Sequence, residues 1–212
     1  MAVPDSSISP KILSSAKRAF LTNGYEKTNL KDICREAGVT TGALYKRFAG
    51  KEALFCALVE QAASEIEAIA EERERLDPRT LSDSELLNAW SMYGSSSLTS
   101  SMQEWFDFLY ARKDEFTLII TCAGGTCYSH FIRDWVDAMT EGTYGYLSEC
   151  IRRNMVTNII SRDELGILLS AFWTLISEPF IRNFNKQQLD IHCTMVCRMF
   201  DWYEILGLHL PT

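Results

Sequence analysis

The sequence lacks the features that mark membrane-spanning, exported and phosphate-loop proteins. No apolar run reaches the roughly 18–20 residues that a membrane span requires, because glycine, serine and threonine interrupt the longest one, Leu165–Ile176. The first residues hold no basic start followed by an apolar stretch, so a secretory signal is not expected. Gly124-Gly125 lacks the lysine and the spacing of a phosphate-binding loop. We therefore expect a cytoplasmic protein that does not associate with membranes.

Residues suited to catalysis or metal binding are also scarce. The chain has three histidines, and none of its seven cysteines stands in a C-x-x-C pair. His192 lies near Cys193 and Cys197, which share a helix face at spacing i, i+4. A metal or redox site at these residues stays open, although packing of small apolar thiols is the favoured interpretation. We predict no cofactor, no metal and no enzymatic activity, with a helical enzyme as a weaker alternative.

Positive charge is concentrated at one end of a chain that is acidic on average. The formal net charge is −7, which by itself argues against a nucleic-acid partner. Residues 1–51 nevertheless hold nine Lys and Arg against four Asp and Glu, a charge of +5, so residues 52–212 carry −12. Such asymmetry is typical of a basic nucleic-acid-binding segment on an acidic body. Chance clustering of charges on solvated helix faces is the alternative.

Apolar residues recur with a helical period along nearly the whole chain. Leu30, Ile33, Cys34 and Ala37, for example, fall at i, i+3, i+4 and i+7. No alternating run is flanked by hairpin turns, so strands are not expected. The predicted fold class is all-α. A long helix is predicted over 51–76, and further helices over 82–93, 102–112, 114–122, 126–154 with a break open near 142–145, 162–184 and 187–206.

Two short helices near the N-terminus have the spacing of a helix-turn-helix. Gly38 lies between them and suits a tight turn, while Ile33, Val39 and Leu44 are expected to pack the helices together. The second helix begins with small and polar residues. Such residues let a backbone approach the major groove of DNA and contact its phosphates.

The pattern becomes specific when the flanking residues are included. The sequence reads LYKRF over 44–48 and KEAL over 51–54, at fixed offsets behind the turn. This segment resembles the DNA-binding domain of TetR-type transcriptional regulators, and the match is continuous over residues 9–60. The remaining three quarters of the chain agree with that family only in length, helical character and position.

The resemblance implies which residues face DNA, and their chemistry suits the roles. Contacts with backbone phosphates are expected from Thr28, Lys31, Tyr45 and Lys51. Base edges would be faced by Thr40, Thr41, Gly42, Ala43 and Lys46.

The resemblance also implies a three-helix DNA-binding domain, residues 1–50, which a long helix joins to a helical domain for effector binding and dimerisation, residues 51–212. In that family the last two helices pair with those of a second subunit, and two recognition helices then reach successive major grooves about 34 Å apart. The expected interface residues are Leu165, Leu169, Phe172, Ile176, Val196, Met199, Phe200 and Tyr203.

The resemblance also implies that the middle helices enclose a small hydrophobic effector, and their aromatic residues suit such a pocket, with plain core packing as the alternative. The candidate lining residues are Trp105, Phe106, Phe108, Tyr110, Tyr128, Phe131 and Trp135. Nearby Glu104, Asp107 and Asp134 leave open that the effector carries a positive charge.

These expectations combine into one functional hypothesis. The protein is a ligand-responsive regulator, with repression favoured over activation, that binds a palindromic operator as a homodimer. It releases the operator when the effector favours a conformation whose two heads no longer match the groove spacing. A thiol-based redox-sensing regulator is the alternative.

Overall fold

A computed structural model describes residues 8–91 and 102–211 of the chain, and within these residues it is all-α as predicted. The one strand-like pairing in the described part is an isolated bridge between Val156 and Leu208. The helices are α1 Ile8–Lys27, α2 Leu30–Ala37, α3 Thr41–Tyr45, α4 Lys51–Glu74, α5 Asp83–Asn88, α6 Met102–Ala111, α7 Lys113–Cys122, α8 Phe131–Arg152, α9 Arg162–Ile181, α10 Lys186–Met199 and α11 Trp202–Leu206.

Three predicted helices differ most from the helices of the structure. The helix predicted over 126–154 begins only at Phe131 and runs without a break. The helix predicted over 187–206 is two helices, because the Asp201 side chain accepts hydrogen bonds from the backbone of Tyr203 and Glu204 and caps α11. The helix predicted over 82–93 ends at Asn88, and part of that prediction lies outside the described residues.

The chain divides into two compact units. The N-terminal unit contains Met1–Glu65 and Arg112–Ile132, and the second unit contains Ile66–Ala111 and Arg133–Thr212. This division differs from the predicted boundary after residue 50. The first part of α4 belongs to the N-terminal unit, and so does α7, which contacts α1.

Aromatic and aliphatic side chains form the core of the N-terminal unit. Phe20 is fully buried, and its ring centroid lies 5.8 Å from that of Tyr25 and 5.4 Å from that of Phe55. Ile33 of α2 and Leu44 of α3 are fully buried as well. This packing fixes the short helix α3, because five residues are too few to hold a helix by themselves.

A buried carboxylate links α8 to the segment before α5 in the second unit. The Glu149 side chain, 4% exposed, accepts hydrogen bonds from Arg152 and Arg153 at 2.6–2.7 Å. Arg153 also donates to the Leu81 carbonyl and to Asp83, both at 2.8 Å. Hydrogen bonding to Arg152, followed by that to Arg153, lowers the pKa of Glu149 to about 2.

Replacing Glu149 with glutamine is expected to lower the free energy of unfolding by about 2 kcal/mol, because charge-assisted hydrogen bonds are lost. The depressed pKa means that this contribution is full above the unfolded carboxyl pKa of 4.5 and is lost as pH falls towards 2. Urea unfolding at pH 7 and pH 3 measures both effects. The unfolding free energies of wild type and Glu149→Gln should differ less at pH 3 than at pH 7. Asp163 is exposed, so Asp163→Asn is the control, and it should change the unfolding free energy at either pH by no more than about 0.5 kcal/mol.

Several residues predicted for the dimer interface are buried within this chain. Leu165, Ile176, Val196 and Phe200 are buried within this chain, so they serve its own core and are not available to a second copy. Tyr203 is half-buried and donates its hydroxyl proton to the Leu87 carbonyl at 2.7 Å. Leu169 and Phe172 are half-buried against the core, and of the predicted set only Met199 is largely exposed.

Several apolar residues of α9 and α10, Met199 among them, are exposed, and we call them the exposed stripes. On α10 these residues are four apart, and on α9 they are four and ten apart. Both spacings place them on one face of their helix. The two helices contact one another. The exposed stripes consist of Ile167, Ala171 and Ile181 on α9 and Ile191, Met195 and Met199 on α10.

α9 is long and apolar enough to cross a membrane by length and composition. A third of its most apolar stretch is buried inside the protein. The helix begins with a capping box between Ser161 and Glu164 and contains Pro179 near its end. A single helix of this kind is weak evidence for a span, since core and interface helices have the same composition.

Candidate nucleic-acid interface

The turn between α2 and α3 is built from local signals. The Asn29 side chain accepts a hydrogen bond from the Lys31 amide at 2.9 Å and caps α2. Gly38 ends α2 in the left-handed region, at φ 68° and ψ 33°, where a residue with a side chain is strained. Thr40 then caps α3 by accepting from the Ala43 amide at 3.1 Å. The α2–α3 angle is therefore fixed by residues that the sequence itself identifies.

Five of the predicted phosphate- and base-facing residues line one shallow depression on this unit. Its volume is about 540 Å³. Three lysine side chains give it positive charge, and Glu26 is the acidic residue of its lining. The lining consists of Glu26, Lys27, Thr28, Asn29, Leu30, Lys31, Thr41, Tyr45 and Lys51. The sequence analysis did not name Lys27, Asn29 and Leu30 as DNA-facing residues, although Lys27 lies directly before Thr28, which it did name.

Tyr45 is an exposed aromatic side chain in the lining of the depression. It is 58% exposed, and its position at the end of α3 leaves the phenol at the protein surface. A phenol hydroxyl in that position can donate a hydrogen bond to a phosphate oxygen. Lys31 is exposed on the adjacent α2. Phosphate contacts by these two residues stay a prediction.

Thr28 needs a correction. Its side chain is buried, and the hydroxyl donates to the Gly24 carbonyl at 2.7 Å, with the Ala19 carbonyl at 3.1 Å. Because the single hydroxyl proton is used inside the protein, the side chain is not a donor to a phosphate. Thr28 instead fastens the end of α1 to the start of α2.

Lys51 has an internal role that the sequence did not reveal. Its Nζ donates to the carbonyl oxygens of Tyr25, Glu26 and Thr28 at 2.8, 3.1 and 3.3 Å. The same ammonium lies 4.4 Å from the centroid of the Tyr25 ring. The three ammonium protons are thus engaged, so a direct phosphate contact stays a prediction that requires Lys51 to release one of these carbonyls. Its charge adds to the positive potential of the depression in either case.

The residues predicted to face base edges lie mostly at the surface. Thr40, Thr41, Gly42 and Lys46 are exposed, and Ala43 is half-buried. A Cβ added at Gly42 would lie 3.9 Å from the Thr40 hydroxyl, which is ordinary van der Waals contact, so a small side chain has room there. Thr40 accepts a backbone hydrogen bond but retains its own hydroxyl proton for a phosphate or a base.

Comparison with known proteins identifies this arrangement. Residues 12–58 match the family described as bacterial regulatory proteins, tetR family. The chain is also similar to UidR, an HTH-type transcriptional regulator of Escherichia coli (strain K12), with 34% identity over 67 residues. That alignment covers 32% of this chain and 33% of UidR, so the chain spans about a third of the length of this curated relative.

The matched residues contain α2, α3 and the turn between them, so the N-terminal part of this chain is similar to regulators of the tetR family. Solved structures of tetR-family regulators share the fold of this chain over almost its whole length. A family member from Streptomyces coelicolor A3 has a TM-score of 0.60 at 16% identity, over 94% of this chain and 90% of that one. The regulator FadR from Bacillus subtilis, solved in complex with stearoyl-CoA, has a TM-score of 0.53 at 17% identity, over 90% and 96%. At these identities the likeness shows the fold alone.

The aromatic residues predicted to hold an effector are divided between the two units of this chain. Tyr128 and Phe131 lie in the N-terminal unit. Phe106 is fully buried with its ring edge-on to His192, which makes it part of the core. Tyr110 is half-buried in the second unit. The pocket assignment of these residues stays a prediction.

The other predicted aromatic residues, together with Trp173, form a continuous row in the second unit. Trp105 stacks on Phe108 at 5.3 Å and on Trp135 at 6.3 Å, and Trp135 contacts Trp173 at 4.5 Å between ring centroids. Trp173 was missed because it lies on α9, which the sequence assigned to the dimer. The Trp135 indole donates to the Ile66 carbonyl at 3.2 Å, which fixes the middle of the row.

Asp107 and Asp134, two of the acidic residues that suggested a positively charged effector, are paired with basic side chains. Asp107 and Asp190 both accept from the Lys186 ammonium, and hydrogen bonding to Lys186 lowers the pKa of Asp107. Asp134 lies 3.3 Å from the Arg133 guanidinium. These carboxylates are already partly neutralised, which weakens the argument for a cation.

The sequence left open a metal or redox site formed by His192, Cys193 and Cys197, and the structure gives these side chains other surroundings. His192 Nε2 lies 2.7 Å from the Leu175 carbonyl, and Cys193 and Cys197 are buried. Over residues 8–91 and 102–211 there is no group of three or more His, Cys, Asp or Glu side chains placed to hold a metal ion. The two cysteines pack in the core beside α9.

Proposed function

We propose that this protein is a TetR-family transcriptional repressor that binds a palindromic operator as a homodimer and releases it when a small hydrophobic effector binds. The observation that carries the proposal is the depression at the α2–α3 turn, where lysine ammonium groups, Thr41 and the exposed Tyr45 converge. The positive charge of residues 1–51 supports DNA as the partner, since phosphate neutralisation dominates such binding.

Dimerisation is proposed through the exposed stripes of α9 and α10. Four large apolar side chains of the exposed stripes are more than half exposed, which is disfavoured in water, and the alignment of each stripe on one helix face suits a shared partner. A second copy is the occupant that the function requires, because α3 alone reads only one half of a palindrome. The family resemblance gives the same arrangement for the last two helices.

The effector is proposed to be neutral and hydrophobic, and to bind beside the row of Trp105, Phe108, Trp135 and Trp173. Stacked indoles offer flat apolar surface to such a ligand. The pairing of Asp107 with Lys186 favours a neutral ligand over a cation. FadR, solved with stearoyl-CoA, offers an acyl chain as one ligand class to include in a thermal-shift screen beside neutral aromatics and cations.

Selection of binding sites from a random duplex library tests the DNA-binding proposal without knowledge of the regulated genes. Enrichment of a palindrome whose half-sites are about one helical turn apart supports a dimeric operator-binding protein. Failure to enrich any sequence over several rounds, with protein shown to be folded by circular dichroism, would contradict it.

A further inference from the structure

Two cysteines that are far apart in sequence lie side by side in the N-terminal unit. Cys56 is on the second turn of α4, and Cys127 is in the segment between α7 and α8. Their Sγ atoms are 3.2 Å apart. Cys127 is exposed and Cys56 is half-buried, whereas the other five cysteines are buried. This pair is therefore the one whose sulfur atoms are both adjacent and reachable from solvent.

The surrounding backbone holds the two sulfur atoms together. The Cys127 amide donates to Glu52, one turn before Cys56 on α4, at 3.0 Å. Thr126 donates its hydroxyl proton to the Ala123 carbonyl at 2.7 Å and accepts from the Tyr128 amide at 3.1 Å. Cys127 thus lies in a hydrogen-bonded turn. This turn holds the backbone of Cys127 in the position from which its Sγ atom reaches that of Cys56.

The same segment contacts the end of α1. Gly125 has a φ of +82°, and a Cβ at this position would lie 3.7 Å from the Tyr25 ring. Tyr25 packs on Phe55, the neighbour of Cys56 on α4. The cysteine pair therefore joins two segments that both pack on Tyr25, the residue whose ring and carbonyl hold Lys51.

We propose that Cys56 and Cys127 are a reversible oxidation site that forms an intramolecular disulfide with a peroxide as oxidant. The Cys127 thiolate attacks one peroxide oxygen, the O–O bond breaks, and hydroxide leaves, which gives a sulfenic acid. The Cys56 sulfur then attacks the Cys127 sulfur, the S–O bond breaks, and the hydroxyl leaves as water with the Cys56 proton. Two thiols and one hydrogen peroxide become one disulfide and two waters, and a dithiol reductant reverses the change.

The environment assigns different roles to the two sulfurs. Burial, together with the hydrogen bond to Cys127, raises the pKa of Cys56 to about 12. Cys56 therefore keeps its proton at neutral pH and is the resolving thiol, while exposed Cys127 meets the oxidant. Glu52 and Glu60 add negative charge near the pair, so we expect oxidation to need sustained exposure to peroxide and to speed up as pH rises.

Thiol counting and peptide mapping after peroxide treatment test the proposal on the full chain. Wild-type protein should lose two of its seven reactive thiols under denaturing conditions, lose two hydrogens in mass, and recover both with dithiothreitol. Protease fragments should contain a bond between Cys56 and Cys127. The oxidised protein should also melt several degrees higher, because the bond closes a long loop in the unfolded chain.

Single variants separate this pair from the other cysteines. Cys127→Ser should abolish disulfide formation, and Cys56→Ser should stop at a sulfenic acid on Cys127 that dimedone traps. Cys122→Ser, which removes a buried thiol five residues away, should oxidise within twofold of the wild-type rate. Equal disulfide formation in Cys127→Ser and wild type, or a bond found only between two chains on a non-reducing gel, would overturn the proposal. The result does not depend on DNA binding, so the proposed function can fail while this site stands.

Discussion

A chain carrying both Ile167→Glu and Met195→Glu is expected to be a folded monomer. Both side chains are more than half exposed, at 69% and 55%, so a carboxylate at either site costs the isolated subunit little. In a two-fold interface each substitution occurs twice, and four carboxylates would have to be buried without partners. Light scattering should show a mass near 24.1 kDa for the variant and about twice that for the wild type. Operator affinity should fall at least 100-fold, since each monomer holds one half-site.

Ile159 provides a matched control for this experiment. It is an isoleucine with the same 69% exposure, but it precedes α9 and is not part of the exposed stripes. Ile159→Glu should remain dimeric and should bind the operator within about twofold of wild type. A double variant that stays dimeric, or a wild-type monomer that binds the operator tightly, would show that the exposed stripes have another role.

Replacing Tyr45 with phenylalanine is expected to lower operator affinity by about 100-fold. The change removes one hydroxyl per subunit from a side chain that is 58% exposed, so the fold should be unaffected. Each hydrogen bond from a phenol to a phosphate contributes about 1.5 kcal/mol, and a dimer makes two of them. Fluorescence anisotropy with a labelled operator measures the loss, and thermal unfolding should agree with wild type within 1–2 °C.

Tyr128 supplies the comparison for Tyr45. It lies in the same unit but does not line the depression at the α2–α3 turn. Tyr128→Phe should therefore keep operator affinity within about threefold of wild type. An equal loss in both variants would mean that the hydroxyl of Tyr45 acts through the stability of the unit and not through a phosphate.

Local signals in the sequence were enough to predict the turn between α2 and α3. Asn29, Gly38 and Thr40 act on their own backbone neighbours, so their caps can be predicted without the rest of the fold. The partners of Lys51 could not be predicted in this way. The position of Lys51 at the start of a helix is compatible with a contact to a DNA phosphate. Its hydrogen bonds to three carbonyl oxygens arise because α4 packs against the end of α1, and the sequence does not show this packing.

Apolar periodicity predicted α9 and α10 but not which of their apolar residues are buried in this chain and which are exposed. Leu165 and Ile176 are as apolar as Ile167 and Ile181, yet the first pair is buried within the chain and the second is exposed. Periodicity shows that a helix has apolar faces, whereas the choice between core and interface depends on where the other helices pack. The pairing of Cys56 with Cys127 was out of reach for the same reason, because 71 residues separate them.

The salt dependence of operator binding tests the central claim most directly, because it counts the phosphates that the basic N-terminal segment neutralises. If each subunit neutralises about three, the logarithm of the association constant should fall with the logarithm of salt concentration at a slope of about −5. Titrations of wild-type protein on the selected operator at several salt concentrations give this slope. A value near −5 is the predicted result, and a flat dependence would contradict the assignment of the α2–α3 turn as a phosphate-binding surface.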